Sequence, residues 1–225
     1  MSAAAAVSLD PPLAWRELGP QDLEEVDALH RVAMGPVVRP EIVKPESRAY
    51  FQSILSGRGR VIGAFGANLV AYGILQHDHA PSDRWEDELG VREGTPVGRL
   101  AGASVHPDLR GRRLQRATIT ARIAMAPRGM LLFSTAAPAN TASWASLLAE
   151  GFNIHNIVLR YGGFARYLMV RDNALYDRNR AILVDPLDTE RQTPLFAQGW
   201  HGFGQARLPT GAPGLLFAPP LSRPS

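Results

Sequence analysis

Residues 99–126 limit the fold of this chain most, because a strand pattern there passes directly into a helix pattern. Residues 99–105 predict a β-strand that ends at His106-Pro107, and residues 114–126 carry apolar side chains at helical spacing. In such a strand-turn-helix unit, the unpaired backbone N–H groups of the first helical turn converge on one point, and the helix dipole adds positive charge there. Helix starts of this geometry bind phosphate. The segment therefore predicts an anion site at the start of the helix.

The turn of this unit is rich in arginine. Arg110, Arg112, Arg113 and Arg116 form the one dense basic cluster of the chain, and guanidinium groups make charge-assisted hydrogen bonds to a diphosphate. The whole chain carries 24 Lys+Arg against 21 Asp+Glu, a net charge of only +3, whereas nucleic-acid-binding proteins usually show a larger, clustered excess. We therefore expect a small anionic ligand at this turn, with a solvated arginine face as the alternative.

Composition sets the broad class of the protein. The chain has 225 residues, of which 45% are hydrophobic, and this is enough for one sizeable core with an appendage. It contains no cysteine, which excludes disulfide bonds, thiolate zinc sites and a cysteine nucleophile. Residues 1–12 lack the basic region of a secretory signal, and no apolar stretch approaches the roughly 20 residues of a membrane helix. We expect a cytoplasmic protein that does not associate with membranes.

Strand and helix patterns alternate along most of the chain. Strands are predicted over residues 14–18, 60–65, 69–76, 130–134, 152–161 and 164–171, and helices between Pro20 and Pro36, over residues 46–55 and over residues 140–150. The helix over residues 114–126 is expected to bury one face, formed by Leu114, Ala117, Ala121 and Met125.

Two segments are less regular. Residues 77–97 form an insertion, and residues 80–97 within it are expected to build part of the wall around a second substrate. Beyond residue 172, strands over residues 181–184 and 215–218 and a short helix near residues 194–198 are predicted without a place in the topology.

We divide the chain into a loose tail, residues 1–12, a domain, residues 13–172, and a C-terminal extension, residues 173–225. Three roles stay open for the extension: it completes the sheet, covers the second-substrate site or forms a homodimer interface.

The run V-H-P-D-L-R-G-R-R-L-Q-R-A resembles motif A of the GNAT superfamily of N-acetyltransferases, and its R-G-x-x-L-Q-R form is similar to one branch of that superfamily. The family pattern is Gln or Arg, two residues, Gly, one residue, then Gly or Ala. Arg110 matches the first position, whereas Arg113 and Gln115 stand where the pattern has small residues. Because glycine lets the backbone approach the pyrophosphate, the side chain of Arg113 must point outward. The resemblance implies that coenzyme A is bound by Val105, His106, Arg110, Gly111, Arg112, Arg113, Leu114, Gln115 and Arg116.

A second match begins at Asn140. The run from Asn140 to Ser143 opens a helix that ends at Gly151-Phe152, similar to the N-x-x-A/S helix of the family that ends in G-F. The resemblance implies that Asn140 hydrogen-bonds the pantetheine arm, that Ser143 belongs to the same coenzyme site, and that the backbone after Val105 pairs with the arm like an added strand. Asn140 also suits the N-cap position of the helix.

The acid of the family mechanism has no counterpart here. Many members carry a tyrosine seven residues after that asparagine as general acid for the departing thiolate, but this chain has Leu147 there. Ser143, Tyr161 and water are the candidates to replace it. Backbone N–H groups near Ser104 are expected to polarise the thioester carbonyl and stabilise the oxyanion.

The base that deprotonates the amine is also open. Residues 99–105 contain no carboxylate, so His77, His79 or water is left for this role. On one strand the two histidines share a face and Asp78 opposes them, so we expect no metal site from this run. The alternative is that these are exposed polar residues of a loop.

Together these features predict a mixed α/β (α+β) protein of the GNAT fold: a mostly antiparallel central sheet flanked by helices, with splayed parallel strands at the coenzyme site. The predicted activity is transfer of an acetyl group from acetyl-CoA, or of another acyl group from its acyl-CoA, to a small amine, without a metal or nucleic acid. The alternative is an acyl-CoA-binding sensor or interaction module without turnover. A third, nucleic-acid-binding interpretation predicts an affinity that falls steeply with salt.

Overall fold

The computed structural model describes residues 12–36, 39–79 and 85–221, which fall into two compact units. Unit 1 holds residues 12–36, 45–79 and 100–127, and unit 2 holds residues 39–44, 85–99 and 128–221. Nearly all of the predicted tail, and residues 80–84 of the insertion, lie outside the described residues. No helix in the described ranges combines the length and the apolar character needed to cross a bilayer.

The elements follow one another in this order: β1 (Ala14–Leu18), α1 (Leu23–Met34), α2 (Arg48–Ser53), β2 (Gly59–Phe65), β3 (Leu69–Gln76), α3 (Glu86–Leu89), β4 (Val97–Val105), α4 (Leu114–Met125), β5 (Leu131–Ala136), α5 (Thr141–Ala149), β6 (Phe152–Arg160), β7 (Phe164–Arg171), β8 (Ile182–Val184), α6 (Thr189–Ala197), β9 (His201–Arg207) and β10 (Pro213–Ala218).

Unit 1 is built on antiparallel strands. β1 pairs with β2, β2 pairs with β3, and the second half of β4 follows β3. Its core is aromatic and aliphatic, with Phe51 of α2 packed edge-on against Tyr72 of β3 at 5.9 Å between ring centroids. The β2–β3 hairpin turns at Gly66, whose N–H donates to the carbonyl of Asn68, as the glycine and asparagine there predicted.

Unit 2 contains the longer run of strands. The order is β5-β7-β6-β9-β10-β8, with every pair antiparallel. β5 lies beside the start of β4 as the one parallel pair among the described strands, and the N–H of Leu131 donates to the carbonyl of Pro96 at 2.9 Å. Trp85 is fully buried here and packs on Phe133 at 5.0 Å between centroids. The part of the insertion that the structure describes is thus fastened by an aromatic core contact.

The predicted mixed fold, with a mostly antiparallel set of strands flanked by helices, is confirmed. The strands and helices predicted before residue 172 are present, with ends that differ by a few residues. β4 starts at Val97 instead of residue 99, and α2 starts at Arg48 because Ser47 caps it, its Oγ accepting from the N–H of Tyr50 at 3.1 Å. The insertion also contains the short helix α3.

β9 is the strand that sequence patterns missed. Its sequence, HGFGQAR, contains two glycines and three polar residues and lacks an apolar alternation. Pairing with β10 and β6 stabilises this strand, although the local β propensity of its residues does not favour one. Strands β8, β9 and β10 of the C-terminal segment therefore extend the strand order of unit 2.

The buried face of α4 differs from the prediction. Leu114 is buried as expected, but Thr118, Ile119 and Arg122 accompany it, and Ala117, Ala121 and Met125 are only partly buried. Arg122 is enclosed because its guanidinium donates to three main-chain carbonyls, those of Thr118 at 3.0 Å, Ala101 at 3.3 Å and Ile74 at 3.4 Å. These hydrogen bonds offset the free-energy cost of burying a cation. The spacing of apolar residues along the helix gives no sign of such a buried arginine.

The space for Arg122 comes from a strand glycine, and this makes a first prediction. A Cβ added to Gly73 of β3 would lie 2.7 Å from Nε of Arg122. Gly73→Ala is therefore expected to lower the free energy of unfolding by about 1–3 kcal/mol in urea titrations. Gly102→Ala in β4 is the matched control, because its added Cβ meets nothing closer than 3.8 Å. Equal stability of the two variants would contradict this packing.

Candidate functional site

The turn between β4 and α4 has the backbone shape of an anion cradle. Gly111 has φ 77° and Arg113 has φ 60°, so two left-handed residues stand immediately before the helix. The first intrahelical bond runs from the N–H of Ala117 to the carbonyl of Arg113 at 3.0 Å. The amides of Leu114 and Gln115 therefore belong to the first helical turn, where no earlier carbonyl accepts them. Left-handed residues beside such amides create the concave nests that bind phosphate oxygens.

Arg113 explains how the sequence departs from the glycine pattern without losing the geometry. It adopts the left-handed conformation that glycine takes most readily, and its side chain is exposed. A residue with a Cβ pays roughly 1–2 kcal/mol for this conformation. Persistence of a strained residue at a helix start is a recurring mark of functional turns.

Packing and hydrogen bonds fix the position of the turn within unit 1. The side chain of Leu114 is only 5% exposed and packs with Ala64 and Ala71, and Val105 lies at the edge of the same cluster. These two side chains therefore position the backbone and leave only main-chain atoms for a ligand.

The polar residues that flank the turn are also engaged within unit 1. Arg110 donates from Nη2 to the carbonyl of Ala33 at 2.6 Å, at the C-terminal end of α1. The N–H of His106 donates to the carbonyl of Val70 at 2.8 Å, and Nδ1 of His106 accepts from the N–H of Asp108 at 3.4 Å. Arg112 is exposed, and Gln115 and Arg116 are partly buried. Arg112 and Arg113 are thus the arginines of the turn whose side chains are exposed and make no hydrogen bond or ion pair with another described residue.

Asn140 is the N-cap of α5 in unit 2, as expected. Its Oδ1 accepts from the N–H of Ser143 at 3.1 Å, which leaves the side-chain NH₂ group outside that bond. The same helix is anchored by Trp144, which is buried and donates to the carbonyl of Pro138 at 3.1 Å. Leu147 is 3% exposed within the core of unit 2, so this position supplies no acid.

Tyr161 lies in the tight β6–β7 turn of unit 2, with φ 56°. Its hydroxyl oxygen accepts from the guanidinium of Arg99. Cations also face its ring: Nζ of Lys44 is 5.1 Å from the ring centroid, and the guanidinium of Arg166 is 5.5 Å from it. Because the oxygen accepts from Arg99, the hydroxyl proton remains available for donation to a ligand.

Ser104 is part of a buried network in unit 1 that sequence reasoning did not foresee. Its Oγ lies 3.2 Å from the hydroxyl of Tyr72, and this hydroxyl lies 3.0 Å from Nδ1 of His30. Nε2 of His30 accepts from the N–H of Glu46 at 3.1 Å. The Ser104 hydroxyl is therefore engaged in the core. The partners come from α1, β3 and β4, and no sequence spacing connects them.

His77 and His79 follow β3 in unit 1. His77 is exposed and His79 is partly buried. The carboxylate of Asp78 pairs with Arg58, with 3.6 Å between Oδ2 and Nε, and the N–H groups of His77 and Asp78 both donate to the carbonyl of Arg58. Asp78 therefore serves the contact with Arg58.

The candidate residues divide between the units. Unit 1 contains Ser104, the turn from Val105 to Arg116, and both candidate histidines; unit 2 contains Asn140, Ser143 and Tyr161. Each group keeps the local geometry described above.

The mixed strand order, the parallel pair of β4 and β5 and the cradle before α4 together define a protein of the GNAT fold. Comparison with solved structures agrees with this class, whereas no protein-family model and no curated protein sequence matches the chain.

Three solved structures illustrate the likeness. The chain is similar to a phosphinothricin acetyltransferase of Sinorhizobium meliloti in complex with acetyl-CoA, with a TM-score of 0.53 and 16% identity over 71% of this chain and 88% of that one. It is similar to the ribosomal-protein-S18-alanine N-acetyltransferase of Escherichia coli, with a TM-score of 0.54 and 19% identity over 74% and 97% of the two chains. It is also similar to the GNAT-like decarboxylase GphF in complex with isobutyryl-CoA, with a TM-score of 0.53 and 16% identity over 70% and 98%. At these identities the likeness concerns the fold.

The buried network gives a pH prediction. Burial lowers the pKa of His30 below its usual value of 6.5, so the unfolded chain takes up a proton below that pH while the folded network stays neutral. The free energy of unfolding is therefore expected to fall as the pH drops below about 6.5, until the folded pKa is reached. Urea unfolding at several pH values should show a weaker fall in His30→Gln. The exposed His77→Gln is the control and should keep the wild-type slope; a wild-type slope in His30→Gln would contradict the prediction.

Proposed function

We propose that the chain is an acetyl-CoA-dependent N-acetyltransferase that acetylates a small amine by direct transfer. The observation that carries this proposal is the cradle of Gly111 and Arg113 at the start of α4. It has the shape required for a diphosphate, and it occurs in a fold of which solved examples were determined with acetyl-CoA or isobutyryl-CoA. These similarities support acyl-CoA as the donor substrate.

The cradle binds the coenzyme in this proposal. Main-chain amides from Gly111 to Gln115 hold the diphosphate oxygens, and the exposed Arg112 and Arg113 add charge-assisted bonds. Asn140 uses its amide NH₂ for a carbonyl of the pantetheine arm while its Oδ1 caps α5. Both uses of Asn140 are compatible, because they involve different atoms.

The chemical step is attack of the neutral amine on the thioester carbonyl. A bond forms between nitrogen and carbonyl carbon, the carbon–sulfur bond of the tetrahedral intermediate breaks, and the amine proton leaves to a base. Main-chain N–H groups near Ser104 and Val105 stabilise the oxyanion, and positioning of the two substrates supplies much of the rate. Water or one of His77 and His79 takes the amine proton.

Tyr161 is the general acid in this proposal. Its hydroxyl accepts from Arg99, so its own proton can pass to the departing thiolate. Ser143 is the second candidate; its backbone N–H donates to Oδ1 of Asn140, and its hydroxyl takes no part in that bond. Leu147, which stands at the family position of the acid, is buried in the core and cannot act.

A second candidate function is favoured because the buried, apolar Leu147 stands where the family has its general acid. A chain that binds acyl-CoA but lacks an efficient acid would act as a sensor or interaction module without turnover. The two functions share the cradle and differ only in catalysis, so binding and turnover must be measured separately.

Calorimetry with coenzyme A tests the cradle. Gly111→Val places a β-branched residue at φ 77° and is expected to weaken coenzyme A binding by about 10- to 100-fold, through the loss of charge-assisted bonds to the diphosphate. Pantetheine, which has no diphosphate, should bind both proteins equally. Gly211→Val is the matched control, because Gly211 has φ 83° and, like Gly111, nothing within 4 Å of an added Cβ. Equal weakening by both substitutions would contradict the assignment.

Thiol release from acetyl-CoA across a panel of small amines tests turnover. Tyr161→Phe is expected to lower kcat by about 10²–10⁴-fold, because the proton for the departing thiolate is lost, while KM for acetyl-CoA stays nearly unchanged. Tyr50→Phe, which removes a hydroxyl bonded to Gln76 in unit 1, is the control. If the chain binds coenzyme A but releases no thiol with any amine, the sensor function is favoured over the enzymatic one. If Tyr161→Phe keeps full activity, Tyr161 is not the general acid.

A further inference from the structure

Three side chains that commonly bind metals converge within unit 2 from neighbouring strands. His155 lies on β6, Asp172 directly follows β7, and His201 begins β9. β6 pairs with both β7 and β9. One ligand atom from each of the three residues lies within 4.8 Å of the other two. Strand pairing thus assembles two imidazoles and a carboxylate from distant parts of the sequence.

A β-bulge sets the direction of His155. The pairing of β6 with β7 runs from Ile154 opposite Met169 to Asn156 opposite Leu168, so His155 is the extra residue of the longer strand. Bulges redirect a side chain out of the regular alternation, and they recur beside functional sites. The bulge is therefore an observation independent of the cluster itself.

The carboxylate of Asp172 is held in one orientation. Its Oδ1 accepts from Nδ2 of Asn153 at 2.7 Å and from the N–H of Ala174 at 3.1 Å. Its Oδ2 lies 2.6 Å from Nε2 of His155 and accepts from the hydroxyl of Tyr176 at 3.4 Å. Hydrogen-bond donors that orient a carboxylate in this way are typical of the surroundings of metal ligands.

His201 completes the cluster. Its ring stacks on that of His155, with 3.9 Å between centroids and 19° between planes. Its Nδ1 lies 3.2 Å from the hydroxyl of Tyr176.

We propose that His155, Asp172 and His201 form a binding site for a divalent transition-metal ion of the zinc type. Two imidazole nitrogens and one carboxylate oxygen suit Zn²⁺, whereas Mg²⁺ and Ca²⁺ prefer oxygen ligands. Zinc bonds of about 2.0–2.1 Å bring tetrahedral ligands to roughly 3.3 Å from one another. The ion therefore replaces the hydrogen bond between His155 and Asp172, and the rings leave their stack to direct their lone pairs at it.

A cavity provides room for a fourth ligand. Asp172 lines a cavity of about 250 Å³ together with Asn153, Tyr176 and Phe203. A water molecule occupies roughly 30 Å³ in the liquid, so the cavity has room for water beside Asp172, the one proposed ligand that lines it, and such a water would be the fourth ligand. Bound zinc ties β9 of the C-terminal segment to β6 and to the end of β7. All of these residues lie in unit 2, and the inference holds whether or not the chain binds coenzyme A.

The test uses the full chain without a histidine tag, freed of metal by EDTA and titrated near neutral pH with Zn²⁺ or Co²⁺. We expect one Zn²⁺ per chain in calorimetry and the visible absorption of tetrahedral Co²⁺. At a free zinc concentration about 100 times Kd, Tm is expected to rise by about 5–10 °C.

Variants locate the site. His201→Gln and Asp172→Asn should each lower the affinity for Zn²⁺ by about 10-fold or more, whereas the double variant His77→Gln, His79→Gln should bind zinc like the wild type. If Asp172→Asn fails to fold, the wild-type Co²⁺ spectrum and His201→Gln decide. Absence of the tetrahedral Co²⁺ band in the wild type, or unchanged zinc affinity in His201→Gln, would overturn the proposal and leave the cluster as a structural hydrogen-bond network.

Discussion

The candidate site depends on one local constraint, the left-handed backbone before α4. Gly111 and Arg113 both adopt this conformation directly before the first amides of the helix, and the buried side chain of Leu114 fixes the start of the helix against β2 and β3. Both features are needed. Without the buried side chain of Leu114 the turn would not be held against the strands, and without the left-handed residues the helix would begin with a regular backbone. Arg113 adopts the backbone conformation that glycine favours, so the geometry of the turn is kept without a glycine at this position.

Sequence patterns predicted the elements wherever local and tertiary signals agree. Local residues mark the ends of two such elements. The β2–β3 hairpin has a glycine and an asparagine at its turn, and α5 has Asn140 at its start and Gly151 after its end. β9 carries no such signal, because its residues form a strand only through pairing with β10 and β6. The buried face of α4 also escaped prediction, since Arg122 is paired with main-chain carbonyls from three separate segments.

The candidate site likewise combines features that local sequence predicts with features that only tertiary contacts create. The turn from Val105 to Arg116 is one continuous stretch of sequence, and Asn140 is a helix N-cap, so both local geometries follow from short sequence patterns. The contact of Tyr161 with Arg99 and the network of His30 with Tyr72 and Ser104 join residues at least thirty positions apart, so no spacing could disclose them. The cluster of His155, Asp172 and His201 was hidden for an additional reason, since one ligand stands on a bulge and another on the strand that was not predicted.

A crystal structure of the chain with bound coenzyme A decides whether the turn before α4 holds the diphosphate. We expect diphosphate oxygens within about 2.7–3.2 Å of main-chain nitrogens between Gly111 and Gln115, with the left-handed conformations of Gly111 and Arg113 retained. A coenzyme that is well ordered elsewhere on the protein, while these amides contact only solvent, would contradict this expectation.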